Sequence, residues 1–69
     1  MNFSEALDLV KIDGRLFRKG WMVKDACIYL VKHRTDPNLC YIELHTVSGN
    51  RGYTATSPDL LANDWEVKA

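Results

Sequence analysis

The first hydrophobic pattern along the chain has the period of an α-helix. Its apolar members stand three or four residues apart and share one helical face: Phe3, Ala6, Leu7 and Val10. Asn2, with Glu5 three residues later, forms a capping-box pattern at the start. Gly14 stands where the left-handed residue that ends such a helix is expected. The pattern therefore predicts a helix from about Phe3 to Ile12.

Patterns typical of β-strands follow the helix. Arg15–Arg18 reads as a short strand with mixed faces. Ala26–Lys32 is a continuous run of β-forming residues, which predicts that the helix covers one face and a second subunit the other. His33–Asn38 is polar and contains a proline, so a loop is expected there.

An alternating segment and a turn signal come next. Tyr41–His45 alternates, with Ile42 and Leu44 predicted to face inward. Ser48–Asn50 is a hairpin turn signal, and the following residues, Gly52–Thr56, have moderate β character. These segments predict two antiparallel strands joined by a tight turn.

The end of the chain predicts a short helical turn and an edge strand. Ser57 can cap the turn, and Pro58 suits its first position. Trp65–Val67 can then pair at the edge of the sheet. The predicted fold class is α+β, with an N-terminal helix packed on a small antiparallel β-sheet and a helical turn before the C-terminal strand. Three apolar residues of that turn are expected to pack against the sheet: Leu60, Leu61 and Ala62.

A chain of 69 residues predicts one domain, spanning residues 1–69, with a small core. Such domains gain stability from disulfides, metal ions or self-association. No signal-peptide pattern is present, so a reducing compartment is expected, in which Cys27 and Cys40 stay thiols. Their spacing does not suit a zinc site, and we expect both to be buried as small apolar residues. Self-association is therefore the leading expectation.

The formal net charge is zero, with nine basic and nine acidic residues, whereas a general nucleic-acid binder is basic. No stretch is apolar enough to span a bilayer. We therefore expect neither a nucleic-acid partner nor a membrane partner. We expect a cytoplasmic location. A local excess of cations nevertheless predicts a site for a small anion: Lys11, Arg15, Arg18, Lys19 and Lys24.

No catalytic motif is evident. The serines lack a glycine elbow, neither cysteine has an evident histidine partner, and no glycine loop of the phosphate-binding type is present. Asp59 and Asp64 can form a carboxylate pair, but structural roles at a helix N-terminus and in a turn are favoured. The sequence therefore favours a binding protein over an enzyme, with no metal and no cofactor.

Arg18–Trp21 combines two cations, a glycine and the largest aromatic side chain. Trp21 either offers its ring face to a flat base or is a core residue capped by its neighbours. Arg18 either binds phosphate through its planar fork or pairs with a surface carboxylate such as Asp13. Gly20 allows the backbone to turn or to approach another group closely. The residues alone favour burial of Trp21 and leave both alternatives open.

Three blocks of the sequence resemble a known family. They are Met1–Leu7, Arg18–Trp21 and Ser57–Val67, and the last contains the specific pattern Asp-Leu-Leu-Ala-x-Asp-Trp-Glu. In this order they resemble the second Thoeris anti-defence family of small phage and prophage proteins. The resemblance implies a homotetramer that acts in the host bacterial cytoplasm as a sponge, binding a nucleotide immune signal without cleaving it. The implied signals are cyclic ADP-ribose isomers, with related nucleotides or cyclic dinucleotides for some relatives.

An ADP-ribose-type signal has a flat base, two riboses and a pyrophosphate. If the resemblance holds, Trp21 is the candidate platform for the base and Arg18 the candidate phosphate contact. A pocket between two protomers would suit so small a chain. Three further residues are expected to bind ribose hydroxyls or a base edge: Ser57, Asp59 and Asn63.

The sequence departs from the family pattern at three places. Met22–Asp25 stands where relatives often have Asn-Gly, the middle loop is shortened to about His33–Leu39, and Thr54–Thr56 lacks an aromatic residue. These departures support an alternative, a non-enzymatic homo-oligomeric interaction module of the same fold that has lost the nucleotide pocket. A nucleotide hydrolase using Asp59 and Asp64 is a third and weaker hypothesis.

Overall fold

The computed structural model describes residues 1–23, 25–36 and 38–68. Lys24 of the predicted cationic cluster, Pro37 of the predicted loop and Ala69 lie outside the described residues. The order of elements confirms the predicted α+β class, with four strands between the two helices in the chain and a fifth strand after α2. The elements are α1 (Phe3–Lys11), β1 (Leu16–Arg18), β2 (Cys27–Lys32), β3 (Cys40–Thr46), β4 (Gly49–Gly52), α2 (Ser57–Leu61) and β5 (Trp65–Val67).

Helix α1 begins at the predicted capping box. The Asn2 side chain accepts a hydrogen bond from the Glu5 N–H at 2.9 Å, and the Glu5 carboxylate accepts one from the Asn2 N–H at 3.0 Å. The prediction of a left-handed Gly14 is wrong by one position, because Asp13 takes that conformation with φ 70°. Gly14 instead donates its N–H to the Leu9 carbonyl at 2.8 Å, which closes the end of the helix.

The five strands form one antiparallel sheet in the order β4-β3-β2-β1-β5. Leu16 lies opposite Ile28, and Ile28 lies opposite Leu44, so these three side chains share one face. Helix α1 packs on that face and contacts β1, β2 and β5. The predicted inward direction of Ile42 and Leu44 is confirmed, since both pack against the core.

The core between α1 and the sheet is small. Phe3 meets the ring of Trp65 edge-on, with ring centroids 5.5 Å apart. Cys27 is buried as predicted, but the same prediction for Cys40 is wrong. Cys40 begins β3 opposite the exposed Lys32, at an end of the sheet that no core residue covers. The fully buried members of the core are Ala6, Val10, Leu16, Ile28 and Trp65.

The β3–β4 hairpin turns earlier than the sequence predicts. Val47 and Ser48 form the turn, and the Thr46 hydroxyl donates to the Gly49 carbonyl at 3.0 Å. Gly49 has φ 131°, a conformation that other residues rarely adopt. Strand β4 therefore starts at Gly49, and the predicted strand at Gly52–Thr56 is wrong. Only its first residue belongs to β4.

Helix α2 is capped by Thr56 and not by Ser57. The Thr56 hydroxyl accepts a hydrogen bond from the Asp59 N–H at 3.4 Å. Ser57 is thus the first helical residue, and Pro58 takes the second position instead of the predicted first one. A proline is tolerated there because the N–H groups of the first turn have no partner inside the helix.

Asp59 is the residue of α2 whose side chain faces inward. Successive helical residues are rotated by about 100°, so the next two side chains turn away from the core. Leu60 is accordingly 50% exposed and Leu61 81% exposed, and the prediction that both pack on the sheet is wrong. Ala62 does pack against the core. In the described part of the chain, neither helix has the length and apolar character needed to cross a membrane.

The sheet face turned away from α1 carries a polar and aromatic network. Tyr29 and Tyr41 each donate a hydroxyl to the Glu43 carboxylate at 3.3 Å, and the Asn50 amide donates to Tyr29 at 3.1 Å. The guanidinium of Arg15 lies 5.3 Å from the centre of the Tyr29 ring. These side chains are partly or fully exposed in the protomer. Coverage of this face by a second subunit stays a prediction.

Candidate functional site

Asp59 is the buried carboxylate at the centre of the site, and only 7% of its surface is exposed. Its Oδ1 accepts hydrogen bonds from Arg18 Nη1 at 2.9 Å and from Trp21 Nε1 at 3.1 Å. Its Oδ2 accepts the Tyr53 hydroxyl at 2.7 Å. A buried anion needs such partners, and two donors near the end of β1 and one from the segment before α2 supply them.

Arg18 lies between two aspartates, and each of its three guanidinium nitrogens donates. Nε donates to Asp64 Oδ1 at 2.8 Å, Nη2 donates to Asp64 Oδ2 at 3.4 Å, and Nη1 donates to Asp59. This is the paired geometry in which arginine binds a carboxylate most strongly. The planar fork proposed for phosphate is therefore engaged inside the protomer.

These contacts keep all three groups charged at neutral pH. Hydrogen bonds to Asp64 and then to Asp59 raise the pKa of Arg18. The hydrogen bond from Arg18 holds the pKa of Asp64 below its usual value. Burial raises the pKa of Asp59, but hydrogen bonds from Arg18, Tyr53 and Trp21 together outweigh burial and lower it. Burial and the neighbouring Asp59 also raise the pKa of Tyr53, which stays a neutral donor.

Gly20 permits the close approach of Asp64 to the turn before Trp21. The Gly20 N–H donates to Asp64 Oδ2 at 2.8 Å, and a Cβ at position 20 would lie 2.8 Å from the same oxygen. The Lys19 N–H also donates to the Asp64 carbonyl at 3.0 Å. Asp64 thereby fixes the backbone that aims the Trp21 ring, and any larger residue at position 20 would displace it.

Trp21 packs on the core and also faces solvent. Its ring centroid lies 5.3 Å from that of Trp65 in an edge-on arrangement and 6.4 Å from that of Tyr53. Trp65 is fully buried and donates its Nε1–H to the Asp59 carbonyl at 3.0 Å. Trp21 itself is partly exposed. One edge of Trp21 is therefore anchored while part of its ring lines a cleft, and its role as a platform for a base stays a prediction.

A cleft of about 490 Å³ opens beside Trp21, within the range of small-molecule sites. Among the described residues, its wall combines aromatic surface with hydroxyl groups and a cation, Arg51 from β4. Arg51 takes no part in the ion pairs found among the described residues. Among those residues no group of three histidine, cysteine or acidic side chains is placed to hold a metal ion. Other described residues of the wall include Met22, Val23, Thr46, Tyr53, Thr54 and Thr56.

The structure brings three of the five predicted site residues together. Arg18, Trp21 and Asp59 form one hydrogen-bonded group, and Trp21 and Asp59 line the cleft. Ser57 is exposed at the start of α2 and is not part of the cleft wall. Asn63 is also exposed, and its backbone carbonyl accepts a hydrogen bond from the Met1 nitrogen at 3.2 Å. The binding roles of these residues stay predictions.

Three described members of the predicted cluster of cations, Arg15, Arg18 and Lys19, contact different partners in the folded chain. Arg18 does not pair with Asp13, which instead lies 4.0 Å from Lys32. Arg15 packs on a tyrosine of the opposite sheet face, and Lys19 lies 3.8 Å from Glu66. Cations that are close in the sequence do not form one cluster here, because successive residues of a strand point to opposite faces of the sheet.

Arg51 and Tyr53 are two polar cleft residues that the sequence did not single out as site residues. The register of the β3–β4 hairpin is the sequence signal that could have indicated the position of Arg51. A turn centred on Ser48–Asn50 places Arg51 opposite Val47, whereas the observed turn places it opposite Leu44. The two registers differ by three residues, and a slip by an odd number of residues moves a side chain to the other face. The correct turn would therefore have predicted an arginine on the cleft side.

Comparison with known proteins agrees with the resemblance of the sequence blocks. The model of the Thoeris anti-defense 2-like domain (Tad2-like) matches residues 1–68. The comparison with curated proteins finds no match. The family model spans nearly the whole chain, including the two segments that the Asp59 and Asp64 network joins. This chain therefore belongs to the Thoeris anti-defense 2-like family.

Proposed function

We propose that this protein binds and sequesters a nucleotide immune signal, a cyclic ADP-ribose isomer or a related nucleotide, without cleaving it. The observation that carries the proposal is the cleft beside Trp21 in a chain that the anti-defense family matches over residues 1–68. The ring of Trp21 suits a flat base, since base stacking on an aromatic ring is sequence-tolerant and favourable. Hydroxyl groups of Thr54 and Thr56 on the same wall suit ribose.

Binding without turnover is supported by the state of the two acidic side chains. Asp59 and Asp64 both accept hydrogen bonds from Arg18, and the pKa of each is lowered. A general acid or base works best with a pKa near the working pH. Carboxylates that are already paired and held charged are poor candidates for proton transfer, which weighs against the hydrolase hypothesis.

We further propose that the protein acts as a homotetramer in the host bacterial cytoplasm, with the cleft completed by a second protomer. Met22 is 98% exposed and Val23 is 53% exposed, and both lie on the cleft wall. Exposed apolar side chains at a cleft suit coverage by another copy. A cleft of this size on one protomer is open, whereas a shared one would enclose more of the ligand.

The second candidate is a homo-oligomeric interaction module that does not bind nucleotide. Leu60 and Leu61 favour it, because two exposed leucines on one short helix are typical of a contact surface. This surface is separate from the cleft, so only the nucleotide-binding candidate requires the Trp21 ring. Loss of the Trp21 ring would abolish sequestration but would leave an α2 contact intact.

The test is recovery of the ligand after binding. Purified protein is incubated with cyclic ADP-ribose, related adenine nucleotides and cyclic dinucleotides, freed of unbound ligand, and heated. Mass spectrometry of the supernatant should then show one of these nucleotides intact and in stoichiometric amount. A cleaved product would support the hydrolase, and retention of no nucleotide would leave the interaction module.

A further inference from the structure

Arg51 is the cation of the cleft whose charge no described carboxylate neutralises. It belongs to β4 and lies opposite Leu44, so it shares the sheet face on which the core and the Trp21 cleft are built. Arg18, in contrast, uses all three guanidinium nitrogens on Asp59 and Asp64. A new phosphate at Arg18 would have to displace two carboxylates and leave them unpaired, at a large cost.

A second depression adjoins the first at the same arginine. It has a volume of about 370 Å³ and is lined by residues of the β3–β4 hairpin, among them Ser48 and Asn50, together with Val23. Val23, Thr46 and Arg51 line both cavities, so Arg51 stands at their junction. The order along the surface is therefore an aromatic end at Trp21, a cation, and a polar end at Ser48.

We propose that Arg51, and not Arg18, is the phosphate contact of this protein, and that the ligand extends past it into the second depression. The inference rests on the proposed function and names the ligand class more closely. A base on Trp21, a phosphate at Arg51 and a second sugar or nucleoside near Ser48 describe a molecule larger than a mononucleotide. Arg18 is then a positioning residue, because it holds Asp59 and through Asp59 the edge of Trp21.

The role of Arg51 is tested by calorimetric titration of Arg51→Gln with cyclic ADP-ribose, ADP-ribose, AMP and adenosine. A charged hydrogen bond contributes enough that its loss should weaken the binding of the phosphorylated ligands about 10-fold or more. Adenosine should bind the variant and the wild type equally. Arg34→Gln, which removes an exposed arginine from the loop between β2 and β3, is the matched control and should bind as the wild type does.

The outcomes separate this inference from the proposed function. Wild-type protein that binds none of the four compounds, nor any cyclic dinucleotide, would overturn both. Wild-type binding that survives Arg51→Gln unchanged would overturn the role of Arg51 alone. Equal affinity for AMP and ADP-ribose would overturn the extension into the second depression. Melting temperatures of the variants, measured alongside, should stay near that of the wild type because Arg51 is exposed.

Discussion

The Asp59 carboxylate connects the region around the end of β1, 38 to 41 residues before it, to the nearby Tyr53, 6 residues before it. Its donors come from β1, from the turn that follows β1 and from the segment before α2. Because the apolar core of the protomer is so small, this network supplies part of the contact between segments that a larger core would supply. It also sets the geometry of the cleft, because Trp21 and Tyr53 are both attached to it at their polar atoms.

Asp59→Asn should destabilise the fold more than Asp64→Asn does. Removing the charge of a buried carboxylate leaves Arg18 short of a partner, and such losses are about 3–5 kcal/mol. The Asp64 side chain is 32% exposed, so water can replace much of its contact and the loss should be smaller. Urea unfolding at neutral pH measures both values. Equal losses in the two variants would contradict the central place given to Asp59.

Trp21→Phe should retain nucleotide binding to within a few-fold and lower stability by about 1.5–3 kcal/mol. The smaller ring keeps a stacking face but loses the Nε1–H bond to Asp59, and a hydrogen bond of this kind is worth about that much. Trp21→Ala should lose binding as well as stability. Calorimetric titration and thermal unfolding of both variants give the comparison. Equal binding by Trp21→Ala and wild type would show that the ring is not a ligand platform.

At the residue scale the sequence identified the cluster but not its inner contacts. Arg18, Trp21 and Asp59 were named as one site, and the structure places them together. Their spacing of roughly forty residues carries no information about which carboxylate a cation will meet. The pairing depends on how β1, β5 and α2 are docked, and sequence periodicity does not report docking.

At the element scale, the predictions for two short elements were wrong, namely helix α2 and the β3–β4 turn. Helix α1 has a capping box and a regular apolar face, so its start was predicted to the residue. Helix α2 has five residues, and two neighbouring hydroxyl residues, Thr56 and Ser57, can both act as its cap. The β3–β4 turn has several small polar residues in succession, and a shift by one position reverses the faces.

Thr56→Ala should destabilise the fold, whereas Ser57→Ala should not. Thr56 accepts the Asp59 N–H and so satisfies the start of α2, and loss of such a cap costs about 0.5–2 kcal/mol. Ser57 is exposed at the first helical position, where a change to alanine should stay within about 0.5 kcal/mol. Chemical unfolding of the pair is a direct comparison. A larger loss in Ser57→Ala would mean that the serine is the cap after all.

At the scale of the whole molecule, the Arg18 network predicts sensitivity to acid. The pKa values of Asp59 and Asp64 in the folded chain lie below the value of about 3.9 for a free aspartate. Their stabilising contribution is therefore complete above about pH 4 and is lost as the pH falls through the lower, folded values.

Urea midpoints measured from about pH 6 down to about pH 2 should show this loss. Asp64→Asn, which removes one of the two titrating groups, should lose less stability over the same interval than the wild type does. Parallel curves for the two proteins would contradict the assignment of acid sensitivity to this network.

Assembly is the second prediction at this scale. The small core and the partly exposed network around Tyr29 and Glu43 favour a homotetramer, since a second copy can cover the sheet face that α1 leaves open. Sedimentation velocity at micromolar concentration should give about four times the protomer mass. A monomer under these conditions would remove the basis for a cleft shared between copies.

The central claim is that a nucleotide binds in the cleft beside Trp21, and the two indole N–H signals of this protein test it most directly. The chain contains two tryptophans, and each N–H reports one place: Trp21 at the cleft and Trp65 in the core. In a ¹⁵N-correlated NMR titration with cyclic ADP-ribose, the Trp21 signal, assigned from its absence in Trp21→Phe, should shift strongly and saturate. The Trp65 signal should move much less. A Trp21 signal that does not change with cyclic ADP-ribose, other adenine nucleotides or cyclic dinucleotides would contradict the account.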